Sequence, residues 1–173
     1  MIMKILTKTI LITSLVLTIS SCEKLIQETE LKRTIYTGTE LRTNGYYYKD
    51  DPTRDTVLTI FLYRNGIALY SSIDKMDIVR SENEYRDGTF YKRIEDYRFS
   101  WNVFRVSDNL IEIEGWEPGG YPHPTIESHG EIVNDTTFRL IEECGMRGKR
   151  ILNETFHFKQ FAPKPDSTNS FIK

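Results

Sequence analysis

The chain has 173 residues, 39% of them hydrophobic and 28% charged, with a formal net charge of −2. That length gives room for one domain plus a targeting segment, and the composition suits a soluble globular body. So small a charge sets up no large field, and there is no basic tract of the kind a nucleic-acid binder needs, so no nucleic-acid partner is expected.

The chain opens with Lys4 and Lys8 and continues as an apolar run from Ile10 to Ile19, broken only by Thr and Ser. Such a run is too short to cross about 30 Å of hydrocarbon. It has the length of a signal-peptide core. It ends in Ile19-Ser20-Ser21-Cys22, which resembles the lipobox of bacterial lipoproteins: an aliphatic residue, two small residues, then cysteine. The resemblance implies a signal peptide over residues 1–21, cleavage before Cys22, and a diacylglycerol on its thiol. One acyl chain binds membranes only marginally, whereas the three chains of the usual lipoprotein anchor hold firmly. Glu23-Lys24 resemble the charged sorting signals that follow the cysteine in Bacteroidota. With Cys22 acylated, Cys144 has no disulfide partner and is expected as a small buried or half-buried residue.

Residues 22–33 are polar with scattered apolar positions and are expected to tether the domain. Residues 34–161 then alternate with period two and concentrate aromatic residues, the pattern of strands. Strands are expected at 34–38 and 41–49. Asn65-Gly66, between apolar runs 56–64 and 67–73, predicts a two-residue type I′ hairpin. That register sets Leu62 on Leu69, Ile60 on Ser71 and Leu58 on Ile73, with Phe61 on Tyr70 behind.

Residues 74–98 break the pattern. Phe90, Ile94 and Tyr97 share one helical face, with Asp87 as a cap. Met76, Ile78 and Val79 predict a shorter helix before it. These helices should cover one mouth or side of the sheet. A second hairpin turns at Asp108-Asn109, setting Val106 on Ile111, Phe104 on Ile113, Arg105 on Glu112 and Trp101 on Trp116. A third turns at Asn134-Asp135-Thr136. The three-residue loop is chosen because it sets Ile132 on Phe138, Gly130 on Leu140 and Glu131 on Arg139, sorting apolar from charged. A last strand is expected at 155–161. The tail, 162–173, is expected to be loose apart from Phe171 and Ile172.

About eight or nine neighbouring antiparallel strands predict a mainly β meander that closes into a barrel, since closure removes sticky edges. Ser71, Gly115, Ser128 and Gly130 are small residues assigned to the inner face, which favours room for one small ligand. The alternative is that a large neighbour or a strand bend uses the space. The candidate lining is Phe104, Ile113, Ile126, Ser128, Gly130, Ile132, Phe138 and Leu140.

No catalytic constellation emerges. Glu127, His129 and Glu131 alternate on one strand face and could offer imidazole and carboxylate together, but a solvated face explains them better, so neither a metal site nor a cofactor is expected. Gly119-Gly120 lacks the strand–helix context of a phosphate loop. The loop from Trp116 to Pro124, with His123, is read as a long connection that could also meet a ligand or protein. The Trp101–Trp116 pair is read as sheet packing, with stacking of a sugar or apolar ligand as the alternative.

The anchor, the length and the meander together resemble the small lipocalin-like lipoproteins of Bacteroidota. The ending Phe161-Ala-Pro-Lys-Pro-Asp-Ser-Thr-Asn is similar to theirs. The glycine-x-tryptophan signature of true lipocalins is absent, because Gly45 is followed by Tyr46-Tyr47. The resemblance implies a protein of the bacterial cell envelope, lipid-anchored at the outer membrane, and the missing signature leaves its ligand class open. With no catalytic constellation, the chain is read as a non-enzymatic protein whose barrel holds a small apolar or amphipathic ligand, or else one that contacts another envelope protein through its loops and helices.

Overall fold

The computed structural model describes residues 28–119 and 123–173. The expected signal peptide, Cys22 and the start of the expected tether lie outside the described residues.

Eight antiparallel strands follow one another round a closed barrel. They are β1 (Gly45–Asp51), β2 (Thr56–Leu62), β3 (Ile67–Asp74), β4 (Trp101–Ser107), β5 (Leu110–Trp116), β6 (Thr125–Asn134), β7 (Thr137–Gly145) and β8 (Gly148–Gln160). Closure comes from β1 pairing with β8, Tyr47 opposite Phe158. The expected barrel is therefore present, with eight strands.

The first hairpin differs from its expectation. Tyr63 N–H donates to Ile67 O at 2.9 Å and Gly66 N–H to Tyr63 O at 3.0 Å, so the loop is Arg64-Asn65-Gly66. Of Asn65 and Gly66, only Gly66 takes a positive φ, 84°. A type I turn closed by a left-handed glycine fits these bonds better than type I′. The register moves by one residue: Leu62 faces Ala68, Phe61 faces Leu69 and Thr59 faces Ser71. Ser71 consequently lies on the outer face, where Thr59 Oγ1 meets Tyr85 Oη at 3.2 Å. The second hairpin has the expected register, with Phe104 on Ile113 and Val106 on Ile111. The third pairs Ile132 with Phe138 and Gly130 with Leu140 as expected. It reaches that register differently: Asn134 pairs with Thr137 across a shorter turn, and Val133 is an extra residue in β6.

Two apolar clusters lie on the two faces of this sheet. Tyr36, Leu41, Tyr47, Ile60, Leu62, Phe104, Ile111, Ile113, Phe138, Leu140 and Phe156 fill the inside. Phe61, Leu69, Tyr85, Phe90, Ile94, Trp101, Trp116, Phe161 and Ile172 form the second, outside. Helices α1 (Ile78–Asp87) and α2 (Thr89–Ile94) cover the outer one. Phe90 and Ile94 are buried there as expected, and Asp87 Oδ1 accepts from Thr89 N–H at 2.8 Å. Tyr97 departs from that face, at 51% exposed, and so do Met76 and Val79. The helices cover a side of the barrel and not a mouth.

Two flanking segments also differ from their expectations. Residues 34–38 form no strand. The chain instead crosses one end of the barrel, with Tyr36 N–H on Arg64 O and Arg42 N–H on Asp135 O. The tail is docked along its length. Tyr63 Oη donates to Pro165 O at 2.8 Å, Tyr91 Oη to Thr168 O at 3.0 Å, and Lys164 Nζ to Thr43 O at 2.6 Å.

Candidate functional site

The two ends of the barrel are unlike. The end carrying the β2–β3, β4–β5 and β6–β7 turns is sealed by the incoming chain. Leu41 and Tyr36 enter it, Tyr36 against Phe104 with ring centroids 5.5 Å apart. Above them the rings of Tyr47, Phe138, Phe156 and Phe158 pack at centroid distances of 5.0–5.3 Å. Interlocked rings of this kind leave the lower half of the barrel packed as protein interiors are.

All eight residues expected to line a ligand site fall on the inner face. Cross-strand partners share a face, and the pairs are Phe104–Ile113, Ile113–Ser128, Gly115–Ile126, Ile132–Phe138 and Gly130–Leu140. Phe104, Ile113, Phe138 and Leu140 lie in the packed half, each at most 3% exposed. Two of the small positions are already filled. A side chain at Gly115 would meet Asn102 Oδ1 at 1.8 Å, and one at Gly130 would meet Arg139 O at 2.5 Å. These glycines serve close approach of neighbours.

Toward the other end the inner face turns polar. Lys49 and Glu154 form an ion pair at 2.9 Å, with side chains 18% and 28% exposed. Burial pushes the Tyr70 hydroxyl pKa far above its ordinary value, and the charges of Glu154 and Glu143 add to that. At the rim, between the β1–β2, β5–β6 and β7–β8 connections, lies a depression of about 510 Å³. It is lined by Ile126 and Pro118 and by Arg54, Arg147, Lys149 and Arg150, with the carboxylates of Glu117 and Glu143. Arg147 reaches Glu117 at 3.3 Å and Arg150 reaches Glu143 at 3.0 Å. Ile126 is the one residue of the expected eight that lines it. A small-molecule site of ordinary size falls in the same range of volume.

The rim cations carry no sequence pattern of their own. Arg54 and Arg147 sit in connections, and Lys149 and Arg150 follow the tight Gly145–Gly148 hairpin. That Gly-x-x-Gly spacing is the one signal that could have found them.

The outer face of β5–β7 gathers a different set. His129 lies opposite Glu112 on β5 and Glu142 on β7, and Cys144 lies opposite Glu127. Donor atoms of His129, Glu142 and Cys144 all lie within 4.8 Å of one another. Glu131 turns away to Arg139, as expected. Among the described residues no helix is long and apolar enough to cross a membrane. No protein-family model, curated protein or solved structure matches this chain.

Proposed function

We propose that this chain is a bacterial envelope lipoprotein, tethered through Cys22, whose barrel receives a small amphipathic ligand at its open end. The tether is supported by the order of basic start, short apolar run and lipobox-like Ile19-Ser20-Ser21-Cys22. The binding role is supported by one observation above all: the barrel is plugged at one end and carries at the rim of the other a depression of about 510 Å³. Ile126 and Pro118 offer apolar contact there, and the guanidinium groups of Arg54, Arg147 and Arg150 offer hydrogen bonds to an anionic head. In this reading the protein binds and does not catalyse.

Two measurements test it. Labelled palmitate should enter the wild-type protein and not Cys22→Ser. For binding, the probe is a dansylated medium-chain fatty acid. A side chain at Gly145 would extend toward Ile126 and Glu117, so Gly145→Phe should fill the depression and weaken binding at least tenfold. Equal binding by that variant, or none by the wild type, sinks the ligand reading.

A second reading, a lipoprotein that works by contacting an envelope partner, is favoured by Met76 and Val79, which stand 93% and 74% exposed before and on α1. It would leave probe binding indifferent to Gly145 and make partner cross-linking depend on Met76.

A further inference from the structure

We propose that the outer face of β5–β7 carries a transition-metal site, formed by Cys144, His129 and Glu142 with Glu127 in the fourth position, suited to zinc.

The donor set is a thiol, an imidazole and carboxylates, which together favour a borderline-soft divalent ion over calcium or magnesium. The two strands bring them together in rows across the sheet. His129 faces Glu142 in one row and Glu127 faces Cys144 in the next. His129 Nε2 already lies 3.4 Å from Glu127 Oε2. Donors of His129, Glu142 and Cys144 lie within 4.8 Å of one another. Tetrahedral zinc, with bonds of about 2.0–2.3 Å, holds its ligands roughly 3.3–3.8 Å apart. Side-chain rotation of about an ångström therefore closes the set.

The arrangement depends on a β-bulge. The register of β7 shifts against both neighbours between Leu140 and Glu142: against β6, Ile141 is an extra residue, and against β8, Leu152 and Asn153 together stand opposite Ile141. Without it Ile141 would oppose His129, and Glu142 and Cys144 would turn into the barrel. Bulges recur where a strand re-aims a side chain toward a functional position.

A cation already occupies part of this place. Lys149 Nζ lies 2.5 Å from Glu142 Oε2. Its hydrogen bond and charge hold the Glu142 carboxyl below its ordinary pKa. Lys149 is 55% exposed in its side chain and can swing into solvent, exchanging one positive charge for two. Arg105 holds Glu112, Nη2 to Oε2 at 2.6 Å, which leaves that carboxylate out of the set. Binding deprotonates the Cys144 thiol, so one proton is released for each ion taken up at a thiol site.

The test is a titration of the full chain with cobalt(II), followed by competition with zinc. The wild type should show a near-ultraviolet thiolate-to-cobalt band and the intense visible bands of four-coordination. Zinc should displace both. Cys144→Ser should abolish the thiolate band, and His129→Ala should weaken binding at least tenfold. Lys149→Met should tighten it severalfold, which a purely structural lysine would not do. Glu112→Gln, with circular dichroism as a fold check, should change nothing. A wild type that shows no thiolate band at saturating cobalt overturns the proposal. So does unchanged affinity in Cys144→Ser.

Discussion

Leu31 N–H donates to Glu114 Oε2 at 2.6 Å, and its neighbour Glu30 N–H donates to Glu114 Oε1 at 3.0 Å. A carboxylate only 3% exposed on the outside of β5 thus captures the end of the segment expected to be a tether. Leu31, at 6%, packs into the outer apolar cluster beside it. Hydrogen bonds to a charged group contribute about 1.5–3 kcal/mol net. Glu114→Ala should therefore lower stability by about 3 kcal/mol in urea denaturation, and Glu114→Gln by less, since it keeps one acceptor. Limited proteolysis should cut within residues 28–33 sooner in both. Unchanged protection in Glu114→Ala would mean that Leu31 alone holds the segment.

Gly130 and Gly145 both face inward, yet they should respond differently to a methyl group. At Gly130 the new Cβ would stand 2.5 Å from Arg139 O and 3.0 Å from Leu140 Cδ2, so the backbone of β7 must move. At Gly145 its nearest neighbour would be Ile126 Cγ1 at 3.3 Å. Overpacking of this kind costs about 1–3 kcal/mol. Gly130→Ala should fall in that range, and Gly145→Ala should stay within about 0.5 kcal/mol of wild type, because there only the Ile126 side chain has to give, by a few tenths of an ångström. Thermal denaturation of the pair decides it.

The contrast between these strands also explains what could be read from the sequence. On β5–β7 the outer face carries Glu112, His129, Glu131, Arg139 and Glu142. Polar-out, apolar-in alternation fixes register there, and the turns at Asp108 and Asn134 could be aligned from it. On β2 and β3 both faces are covered, one by the inner rings and one by α1, α2 and the tail. Ile60, Phe61 and Leu62 are then apolar in succession, and a one-residue slip leaves apolar residues on both faces. The register around Asn65-Gly66 was lost for that reason. The inward apolar positions of the candidate site were legible through the same period. Its rim cations were not, because connections have no periodicity. The meeting of Cys144 with His129 depends on the extra residue at Ile141, and a bulge leaves no mark in alternation.

Glu82 pins α1 to the barrel. Tyr46 Oη donates to Glu82 Oε1 at 2.6 Å and Lys159 Nζ does so at 2.5 Å. Burial raises the pKa of this carboxyl, but Lys159, Tyr46 and Arg86 together outweigh it and hold it below the ordinary value. A carboxyl whose folded pKa is depressed contributes stability above its unfolded pKa of about 4.5, and that contribution is lost as pH falls through the folded value. Wild type should accordingly lose stability below about pH 4.5 more steeply than Glu82→Gln. Denaturant midpoints measured from pH 6 to pH 3 for both proteins would show the curves converging; parallel curves would refute the assignment.

Lys164 makes the opposite prediction at alkaline pH. Its ammonium sits under the Tyr63 ring, 4.0 Å from the centroid, and donates to Leu62 O at 2.9 Å. Burial, and then the charge of Arg64, lower its pKa to about 8 from 10.5. The unfolded chain therefore holds this proton more tightly than the folded one, and the folded state carries a penalty below pH 8 that is relieved as pH rises toward 10.5. At 1.36 kcal/mol per unit the full relief is about 3 kcal/mol, an upper figure because the ring and the carbonyls favour the charged form. Tyrosine ionisation in the unfolded chain acts in the other direction above pH 10, so the comparison must be with Lys164→Met. Relative to that variant, wild-type stability should climb between pH 8 and pH 10.5. A flat difference would mean that the two carbonyls and the ring fully offset the burial, and that the tail is held by a lysine of ordinary basicity.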